Sequence, residues 1–224
     1  MALVLYFHPL ASFCHKVLIA LYENETPFEP RTVDLLDQES RAVFFRLWPV
    51  GKMPVLRDEA RGRTVPETSI IIEYLDQHYP GARPLLAADP VVRLDERLWD
   101  RFYDLYVQGP MQKIVGDHLR PEGERDPVGV ADARASLKDA YAMIERQMAG
   151  QTWAAGEAFG LADCAAAPAL FYAGIVEPFA ATHPNVAAYF DRLIERPSVA
   201  RVIAEARPHF PMFPFHAAIP ARFR

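Results

Sequence analysis

Two short segments of the sequence combine polar side chains with the predicted start of a helix or a strand, where backbone groups are free to bind a ligand. Glu67-Thr68 precedes a run with helical spacing, and a hydroxyl beside the free N–H groups of a helix N-terminus suits a carboxylate. The alternative is that Thr68 only caps its own helix. Met53-Pro54 lies at the start of a predicted strand, and an X-Pro bond is the peptide bond that most readily becomes cis. The alternative there is that Pro54 begins an edge strand.

Several frequent catalytic patterns do not occur in the sequence. Gly51-Lys52 is followed by Met53, so there is no phosphate-binding Walker loop, and no GxGxxG or GxSxG motif is found. The seven histidines form neither an HxH nor an HExxH pair, so we expect no metal ion. Nucleotide binding by these loops, serine hydrolysis of the common type and histidine-based metal catalysis are therefore not predicted.

The composition is that of a globular protein with a mild negative charge. The chain has 224 residues, 51% of them hydrophobic, and its 24 basic and 29 acidic side chains give a formal net charge of −5. Nucleic acid is not an expected partner, because phosphate recognition usually leaves a basic surface. No apolar stretch approaches the roughly 18 residues of a membrane span, so no membrane is expected either. Cys14 and Cys164 are too few for a disulfide scaffold, and the reducing cytoplasm is the expected compartment.

The elements that must position these segments alternate between strand and helix over the first eighty residues. The hydrophobic periods predict the order β-α-β-α-β-β-α. The predicted strands are 3–7, 28–35, 54–57 and 63–65, and the predicted helices are 11–22, 40–48 and 68–79. A β-α-β start followed by a hairpin and a helix predicts an α/β domain with a small mixed sheet.

Beyond Tyr79 the signals become helical and predict an all-α bundle. Proline- and glycine-rich sequence at 81–90 predicts a linker, so we expect domains at 1–80 and 91–224. The predicted helices are 91–107, 111–119, 130–148, 163–176, 186–194 and 199–206, the first two separated by a kink at Gly109-Pro110. The helix at 163–176 is apolar almost all round, which predicts a central buried position.

Four segments occur in the same order as in a known family, namely 6–17, 49–56, 66–75 and 159–163. From Leu3 to about Pro197 the sequence resembles the cytosolic glutathione transferases, in particular serine-type, theta- or zeta-like and bacterial-looking members. The resemblance implies a thioredoxin-like domain at 1–80 that binds glutathione as co-substrate. It also implies that the helical domain at 91–224 contributes most of a second-substrate pocket, and that the protein is a cytoplasmic homodimer acting in detoxification.

The resemblance implies glutathione-binding roles for three positions. Met53-Pro54 is similar to the family's cis-proline turn, which exposes the Met53 backbone to pair with the extended tripeptide. Glu67-Thr68 is similar to its acidic-hydroxyl pair, which binds the γ-glutamyl carboxylate and ammonium. Lys52 is similar to the residue that reaches the glycyl carboxylate, with a solvated surface lysine as the alternative.

The catalytic position departs from the family pattern. Glutathione reacts as a thiolate, although a free thiol has a pKa of about 8.5, and the family lowers this pKa with a donor beside the first helix. The position used by the serine- and cysteine-type classes, six residues before Val17, is Ala11 here, and Ser12 follows it. We predict that Ser12 is the donor. One alternative is that Tyr6 is the donor. In the other alternative no side chain is the donor, and either the amides at the start of the helix activate the thiol weakly or catalysis is lost. Cys14 is interpreted as a core residue.

The second-substrate pocket is predicted to be lined by Leu10, Tyr103, Tyr106 and Met111, with the aromatic C-terminal tail as a lid. The resemblance then implies a transferase that adds glutathione to a small hydrophobic electrophile. One alternative is a glutathione-dependent cis-trans isomerase of maleyl-type substrates, although the Ser-Ser-Cys run of that branch is replaced here by Ala11-Ser12-Phe13. Another alternative is a non-catalytic glutathione-binding or regulatory protein.

Asp163 is similar to the family's capping residue before the central helix. Its usual partner is a hydroxyl residue three positions earlier, where this chain has Gly160. We therefore expect Gly160→Ser to stabilise the protein by roughly 0.5–1 kcal/mol.

Overall fold

The computed structural model describes residues 2–224, and its first elements form a four-stranded sheet with three helices. The strands are β1 (Leu3–Phe7), β2 (Glu29–Thr32), β3 (Val55–Asp58) and β4 (Arg63–Pro66). The helices of this part are α1 (Ser12–Glu23), α2 (Gln38–Leu47) and α3 (Thr68–His78). The strand order is β2-β1-β3-β4, with β2 parallel to β1 and the other neighbouring pairs antiparallel. The predicted element order and the mixed sheet are confirmed.

β1 is a central strand with both of its faces covered. Leu5 and Phe7 belong to the main core cluster together with buried residues of α1 and α3, whereas Val4 and Tyr6 pack with Phe44 of α2. A strand that is covered on both faces is apolar throughout, which explains why its sequence shows a continuous run instead of alternation. The sheet thereby fixes the start of α1, which follows β1 after a short loop.

The second half of the chain is helical. Its helices are α4 (Pro90–Phe102), α5 (Gly109–His118), α6 (Pro127–Gln147), α7 (Leu161–Val176), α8 (Pro184–Ile194) and α9 (Pro197–Ala206). A π-helical segment, Tyr103–Gln108, joins α4 to α5, so the two predicted helices are not separated at Gly109-Pro110. Pro110 lies in the first turn of α5, where proline is tolerated. Among residues 2–224, no helix combines the length and the apolarity that crossing a membrane requires.

α7 is the buried centre of the helical half, as the sequence predicted. All of its residues except Gly174 are buried, and it packs against α1, α4 and the π-helical segment. The C-terminal segment covers the same region, since Phe210 lies against Phe171, and Phe213 lies against Tyr172 with 5.4 Å between ring centroids. α7 therefore connects the sheet half of the molecule with the C-terminal segment.

A buried carboxylate holds the N-terminus of α7. One oxygen of Asp163 accepts a hydrogen bond from the Gly160 N–H at 2.9 Å, and the other accepts from the Ala154 N–H and the Tyr189 hydroxyl. Burial raises the pKa of Asp163 to about 6, and these hydrogen bonds oppose that shift. Asp163 therefore joins α7, α8 and the loop before α7 without a hydroxyl at position 160.

Crowding at Gly160 reverses the stabilisation that the sequence led us to expect. A Cβ atom added there would lie 2.9 Å from a carboxylate oxygen of Glu96 and 3.0 Å from the carbonyl oxygen of Leu85. Glu96 is buried and accepts a hydrogen bond from the Ala87 N–H, so it is not free to retreat. We expect both Gly160→Ser and Gly160→Ala to lower the free energy of unfolding by about 1–2 kcal/mol, because the added atoms overpack the site.

Chemical denaturation of the two variants at position 160 measures this effect. Both carry the added Cβ atom and only one carries the hydroxyl, so the difference between them isolates the contribution of the serine oxygen to helix capping. A higher free energy of unfolding for Gly160→Ser than for the unaltered protein would restore the expectation based on sequence.

Candidate active site

A cleft of about 430 Å³, called the first cavity below, lies where α1, α3 and the turn before β3 meet the π-helical segment. All six residues that the sequence analysis singled out for catalysis and glutathione binding line it. They are Ser12, Lys52, Met53, Pro54, Glu67 and Thr68. The fold therefore brings together residues from three separate segments of the sequence.

The N-terminus of α1 opens into the first cavity. Ser12 is the first residue of the helix and is 7% exposed, and Ala11 before it supplies no capping side chain. The first backbone bonds of the helix run from the N–H groups of Cys14 and His15 to the Ala11 carbonyl oxygen. The N–H groups of Ser12 and Phe13 therefore precede the helical ladder and can face an anion. A hydroxyl and two amides at one helix terminus are a suitable environment for a thiolate.

Two other candidate groups for thiol chemistry lie away from the first cavity. The Tyr6 hydroxyl accepts a hydrogen bond from the Arg31 guanidinium at 2.9 Å, on the side of the sheet that α2 covers. Its position does not support the tyrosine alternative for activating a bound thiol. Cys14 is fully buried, and burial raises the pKa of its thiol to about 12, so this thiol stays protonated at neutral pH.

A glycine turn and a cis peptide bond shape the wall formed by residues 51–54. Gly51 has a φ of +70°, and a Cβ atom there would lie 2.5 Å from the Phe45 ring, so the turn requires glycine. The bond between Met53 and Pro54 is cis, as the resemblance implied. β3 begins at Val55, so the Met53 backbone lies outside the sheet ladder and remains available to an extended ligand.

The start of α3 forms another wall of the first cavity. Glu67 has a φ of +68°, a left-handed conformation that costs a non-glycine residue about 1–3 kcal/mol and that is concentrated at functional sites. Glu67 is exposed, whereas Thr68, the first residue of α3, is 7% exposed. The Glu67 carboxylate therefore lies beside the first N–H groups of α3. The carboxylate suits the ammonium of an amino-acid head group, and the N–H groups suit its carboxylate.

A buried ion-pair network lies behind the first cavity. The Lys16 ammonium is fully buried and lies 2.5 Å from the Asp100 carboxylate and 2.8 Å from the Asp104 carboxylate. It also donates to the Ser69 hydroxyl at 3.0 Å, and that hydroxyl donates to Asp100 at 2.6 Å. Lys16 belongs to α1, Ser69 to α3, Asp100 to α4 and Asp104 to the π-helical segment. One side chain therefore connects the helices that surround the cavity.

Asp104 and Arg101 line the first cavity, and neither was predicted from the sequence. Burial raises the pKa of Asp104, while Lys16 and Arg101 oppose that shift. The Arg101 guanidinium lies 3.1 Å from the Asp104 carboxylate and is half exposed. The spacing of Asp100 and Asp104 could have predicted this cluster. The two residues are four positions apart and so lie on the same face of a helix, and buried carboxylates need a positively charged or hydrogen-bonding partner.

A second cavity, of about 500 Å³, adjoins the first. The two cavities share five lining residues, which are Ala11, Ser12, Leu35, Met53 and Gln112. The other walls of the second cavity are mainly aliphatic and aromatic. They include His8, Leu10, Val33, Met111, Val115, Leu119, Tyr172 and Phe213. An apolar molecule in the second cavity can therefore approach the same helix terminus as a polar molecule in the first.

Two of the four residues predicted for the second-substrate pocket line the second cavity, and two do not. Leu10 and Met111 line it. Tyr103 is fully buried in the main core cluster, and Tyr106 is 57% exposed with its ring 5.3 Å from that of Phe102. The prediction for Tyr103 and Tyr106 is therefore wrong. The reason is the π-helical segment, whose wider turns rotate side chains away from the faces that an α-helical pattern predicts.

The second cavity also has an aromatic wall that was not predicted from the sequence. Tyr172 of α7 and Phe213 of the C-terminal segment form an edge-to-face pair, and the Tyr172 hydroxyl donates to the Leu10 carbonyl at 2.8 Å. Met212 and Pro214 line the cavity beside Phe213, so the aromatic tail lies where a lid was predicted. A tyrosine in an otherwise apolar helix was the available signal, because a buried hydroxyl needs a partner.

A mixed sheet with a cis-proline turn, a helical second half and a cleft at the start of the first helix define the glutathione transferase class of fold. The family model for the glutathione S-transferase N-terminal domain matches residues 5–83, and the model for the C-terminal domain matches residues 102–197. These matches fall in both halves of the chain and, together with a relative that is 30% identical, show that the chain belongs to the glutathione S-transferase family.

Relatives match along most of the chain. This chain is 30% identical to glutathione S-transferase U25 of Arabidopsis thaliana over 200 residues, which are 87% of this chain and 85% of the relative. It is 29% identical to glutathione S-transferase GstB of Escherichia coli K12 over 191 residues, 84% of this chain and 91% of the relative. A solved glutathione S-transferase from Methylobacterium radiotolerans, in complex with glutathione sulfonate, matches with a TM-score of 0.78 at 31% identity and covers 89% of this chain and 93% of that one.

Removing the Lys16 ammonium tests the energetic weight of the buried network. Lys16→Met leaves two buried carboxylates without their shared cation, so we expect the free energy of unfolding to fall by about 3–5 kcal/mol. Arg201→Met is the control, because Arg201 pairs with Glu205 on an exposed helix surface, where the loss should stay below about 1 kcal/mol. Urea denaturation at pH 7 measures both. Similar losses in the two variants would contradict the importance assigned to the network.

Proposed function

We propose that the protein is a glutathione transferase that activates the glutathione thiol for attack on a small hydrophobic electrophile. The observation that carries the proposal is the location of Ser12 and the first N–H groups of α1 at the junction of a polar and an apolar cavity. Lowering a thiol pKa by one unit takes about 1.4 kcal/mol of preferential stabilisation of the thiolate. Hydrogen bonds to a charged group, about 1.5–3 kcal/mol each, supply an amount of this size.

The first cavity offers a complementary group to each part of glutathione. Thr68 and the start of α3 suit the γ-glutamyl carboxylate, and Glu67 suits its ammonium. The Met53 backbone suits the extended middle of the tripeptide, and the exposed Lys52 suits the glycyl carboxylate. The Methylobacterium radiotolerans relative, solved with glutathione sulfonate, supports glutathione as the co-substrate.

We assign glutathione binding to a domain at 1–80 and most of the second-substrate pocket to a domain at 91–224, with 81–90 as the linker. Met111, Val115 and Tyr172 supply apolar wall from the helical half. Leu10 and Leu35 add wall from the sheet half, so both domains contribute to electrophile binding. Apolar walls of this kind suit the detoxification of hydrophobic compounds.

A second candidate function is that of a non-catalytic glutathione-binding protein, and Ala11 is the observation that favours it. The serine- and cysteine-type classes carry their donor at this position, and Ala11 has no hydroxyl or thiol. Both candidates predict binding of glutathione. They differ in the pKa of the bound thiol, because only the enzyme needs the thiolate at neutral pH.

Titration of bound glutathione separates the two candidates. With Ser12 as donor, we expect the bound thiol to ionise below its free pKa of about 8.5, and Ser12→Ala to raise that pKa by about 1–2 units. Ala11→Ser supplies a hydroxyl at the family's usual position and is expected to lower the pKa further. Thiolate absorbance during a pH titration measures the pKa in all three proteins.

Tyr6→Phe is the matched control for this titration. It also removes one hydroxyl, but that hydroxyl bonds to Arg31 on the other side of the sheet, so the pKa of the bound thiol should not change. Tight binding with an unshifted thiol in the unaltered protein would favour the non-catalytic candidate. Failure to bind glutathione would overturn both.

We also propose that the protein forms a homodimer through an apolar stripe on α4 and α3. Val91, Leu94 and Leu98 are 70%, 67% and 59% exposed and recur at helical spacing along α4. Leu105, 53% exposed, lies beyond them in the π-helical segment, and Ile70, 52% exposed, lies on the neighbouring α3. An exposed apolar patch of this kind marks an interaction surface.

Light scattering after gel filtration tests the dimer. We expect a mass of twice 25.3 kDa for the unaltered protein and the single-chain mass for Leu98→Asp, because a buried unpaired charge opposes association. Val128→Asp is the control, since Val128 on α6 is as exposed as the stripe but lies outside it. A dimeric Leu98→Asp variant, or an unaltered protein of single-chain mass, would contradict the proposal.

A further inference from the structure

One polar ring lies among the apolar walls of the second cavity. His8 follows β1 directly and lines this cavity together with Ser12 and Met53. Its Nδ1 atom accepts a hydrogen bond from the Leu10 N–H at 3.1 Å. Among residues 2–224, no group bonds to the Nε2 atom, the only other polar atom of the ring. Nε2 is therefore free for a ligand.

The bond to Leu10 also determines the chemical character of Nε2. A neutral imidazole carries one proton, and because Nδ1 is an acceptor here, that proton is on Nε2. Burial and the neighbouring His209 lower the pKa of His8, while Asp34 acts in the opposite direction, so the ring is neutral at pH 7. His8 thus offers an N–H donor to a cavity whose walls are mainly apolar.

The loop that holds His8 is fixed by hydrogen bonds from α7 and from α1. The Leu10 carbonyl accepts from the Tyr172 hydroxyl at 2.8 Å, and the Pro9 carbonyl lies 2.6 Å from Nε2 of His15. Burial lowers the pKa of His15 to about 4, so its ring is neutral and donates from Nε2. A donor held in this way is preorganised, which is the condition under which it stabilises developing charge most effectively.

We propose that His8 donates a hydrogen bond from Nε2 to the oxygen of a conjugated carbonyl electrophile, so that the second cavity selects α,β-unsaturated ketones and aldehydes with an apolar remainder. This inference rests on the proposed transferase function. Ser12 and His8 both line the second cavity, so one molecule bound there is within the reach of a thiolate at Ser12 and of the His8 donor. The apolar walls hold the remainder of the electrophile.

The reaction needs no further reagent. The thiol first loses its proton to water, and a sulfur electron pair then forms a bond to the β-carbon of the electrophile. The electron pair of the C=C bond moves toward the carbonyl and leaves an enolate, whose oxygen accepts the hydrogen bond from His8 while the ring keeps its proton. The α-carbon then takes a proton from water, so that the net change is addition of S–H across the double bond.

Two electrophiles distinguish this role from general support of the site. Benzylideneacetone develops negative charge on a carbonyl oxygen, whereas benzyl chloride reacts by displacement and has no carbonyl. We expect His8→Asn to lower kcat for benzylideneacetone on the order of 100-fold more than kcat for benzyl chloride. KM for benzylideneacetone should change little, because the enolate charge forms only on the way to the transition state.

The choice of asparagine keeps the loop intact. An asparagine at position 8 can still accept a hydrogen bond from the N–H of Leu10, which lies two residues later in the chain. Its side chain is too short to place a donor where Nε2 of His8 lies. His209→Asn is the matched control, because it makes the same chemical change in the ring that lies 5.3 Å from His8. In His209→Asn, the ratio of kcat for benzylideneacetone to kcat for benzyl chloride should equal that of the unaltered enzyme.

The outcomes that overturn the inference are separate from failure of the proposed function. Equal losses of kcat with both electrophiles in His8→Asn, or no loss with benzylideneacetone, would overturn the role of His8. An unaltered enzyme that turns over benzyl chloride but not benzylideneacetone would overturn the substrate class and leave the transferase function standing. An unshifted glutathione thiol with turnover of neither electrophile would overturn both.

Discussion

The buried Lys16 ammonium is the interaction on which the geometry of the active site depends. An ammonium group removed from water is costly unless its protons find partners, and Asp100, Asp104 and Ser69 provide them. Lys16 lies one turn after Ser12, and its partners lie in the helices that form the rest of the first cavity. Hydrophobic packing is non-directional, whereas these bonds have a direction and a length, so they fix the start of α1 relative to α3 and the π-helical segment.

The start of α1 can serve two ligands of opposite character because it lies between two differently built cavities. On one side are a glycine turn, a strained Glu67 and the first N–H groups of α3, which suit a charged peptide. On the other side are α5, α7 and the C-terminal segment, which contribute mainly apolar side chains, and His8 from the loop after β1. The loop between β1 and α1 is held by Tyr172 and His15, so Ser12 and His8 are positioned before any ligand arrives.

Local sequence signals predicted the first cavity well and the second cavity poorly. Met53-Pro54 and Glu67-Thr68 could be predicted because turns and helix starts depend on residues close together in the chain. Tyr103 was assigned to the wrong environment because the π-helical segment changes which side chains face the cavity, and the spacing of apolar residues does not reveal it. The crowding at Gly160 was equally hidden, since Glu96 and Leu85 are distant in sequence.

By itself, the sequence determined the order of strands and helices through short-range patterns, and its resemblance to a known family implied the cis-proline turn and the six residues that line the first cavity. Only the tertiary structure decided that Tyr6 faces α2 while Ser12 faces the two cavities, that Lys16 has two aspartates as partners, and that Tyr172 takes the place expected for Tyr103. The physical reason is that the direction and the environment of a side chain depend on elements that pack against it from far along the chain. α7 and the C-terminal segment are such elements, and no local pattern records where they lie.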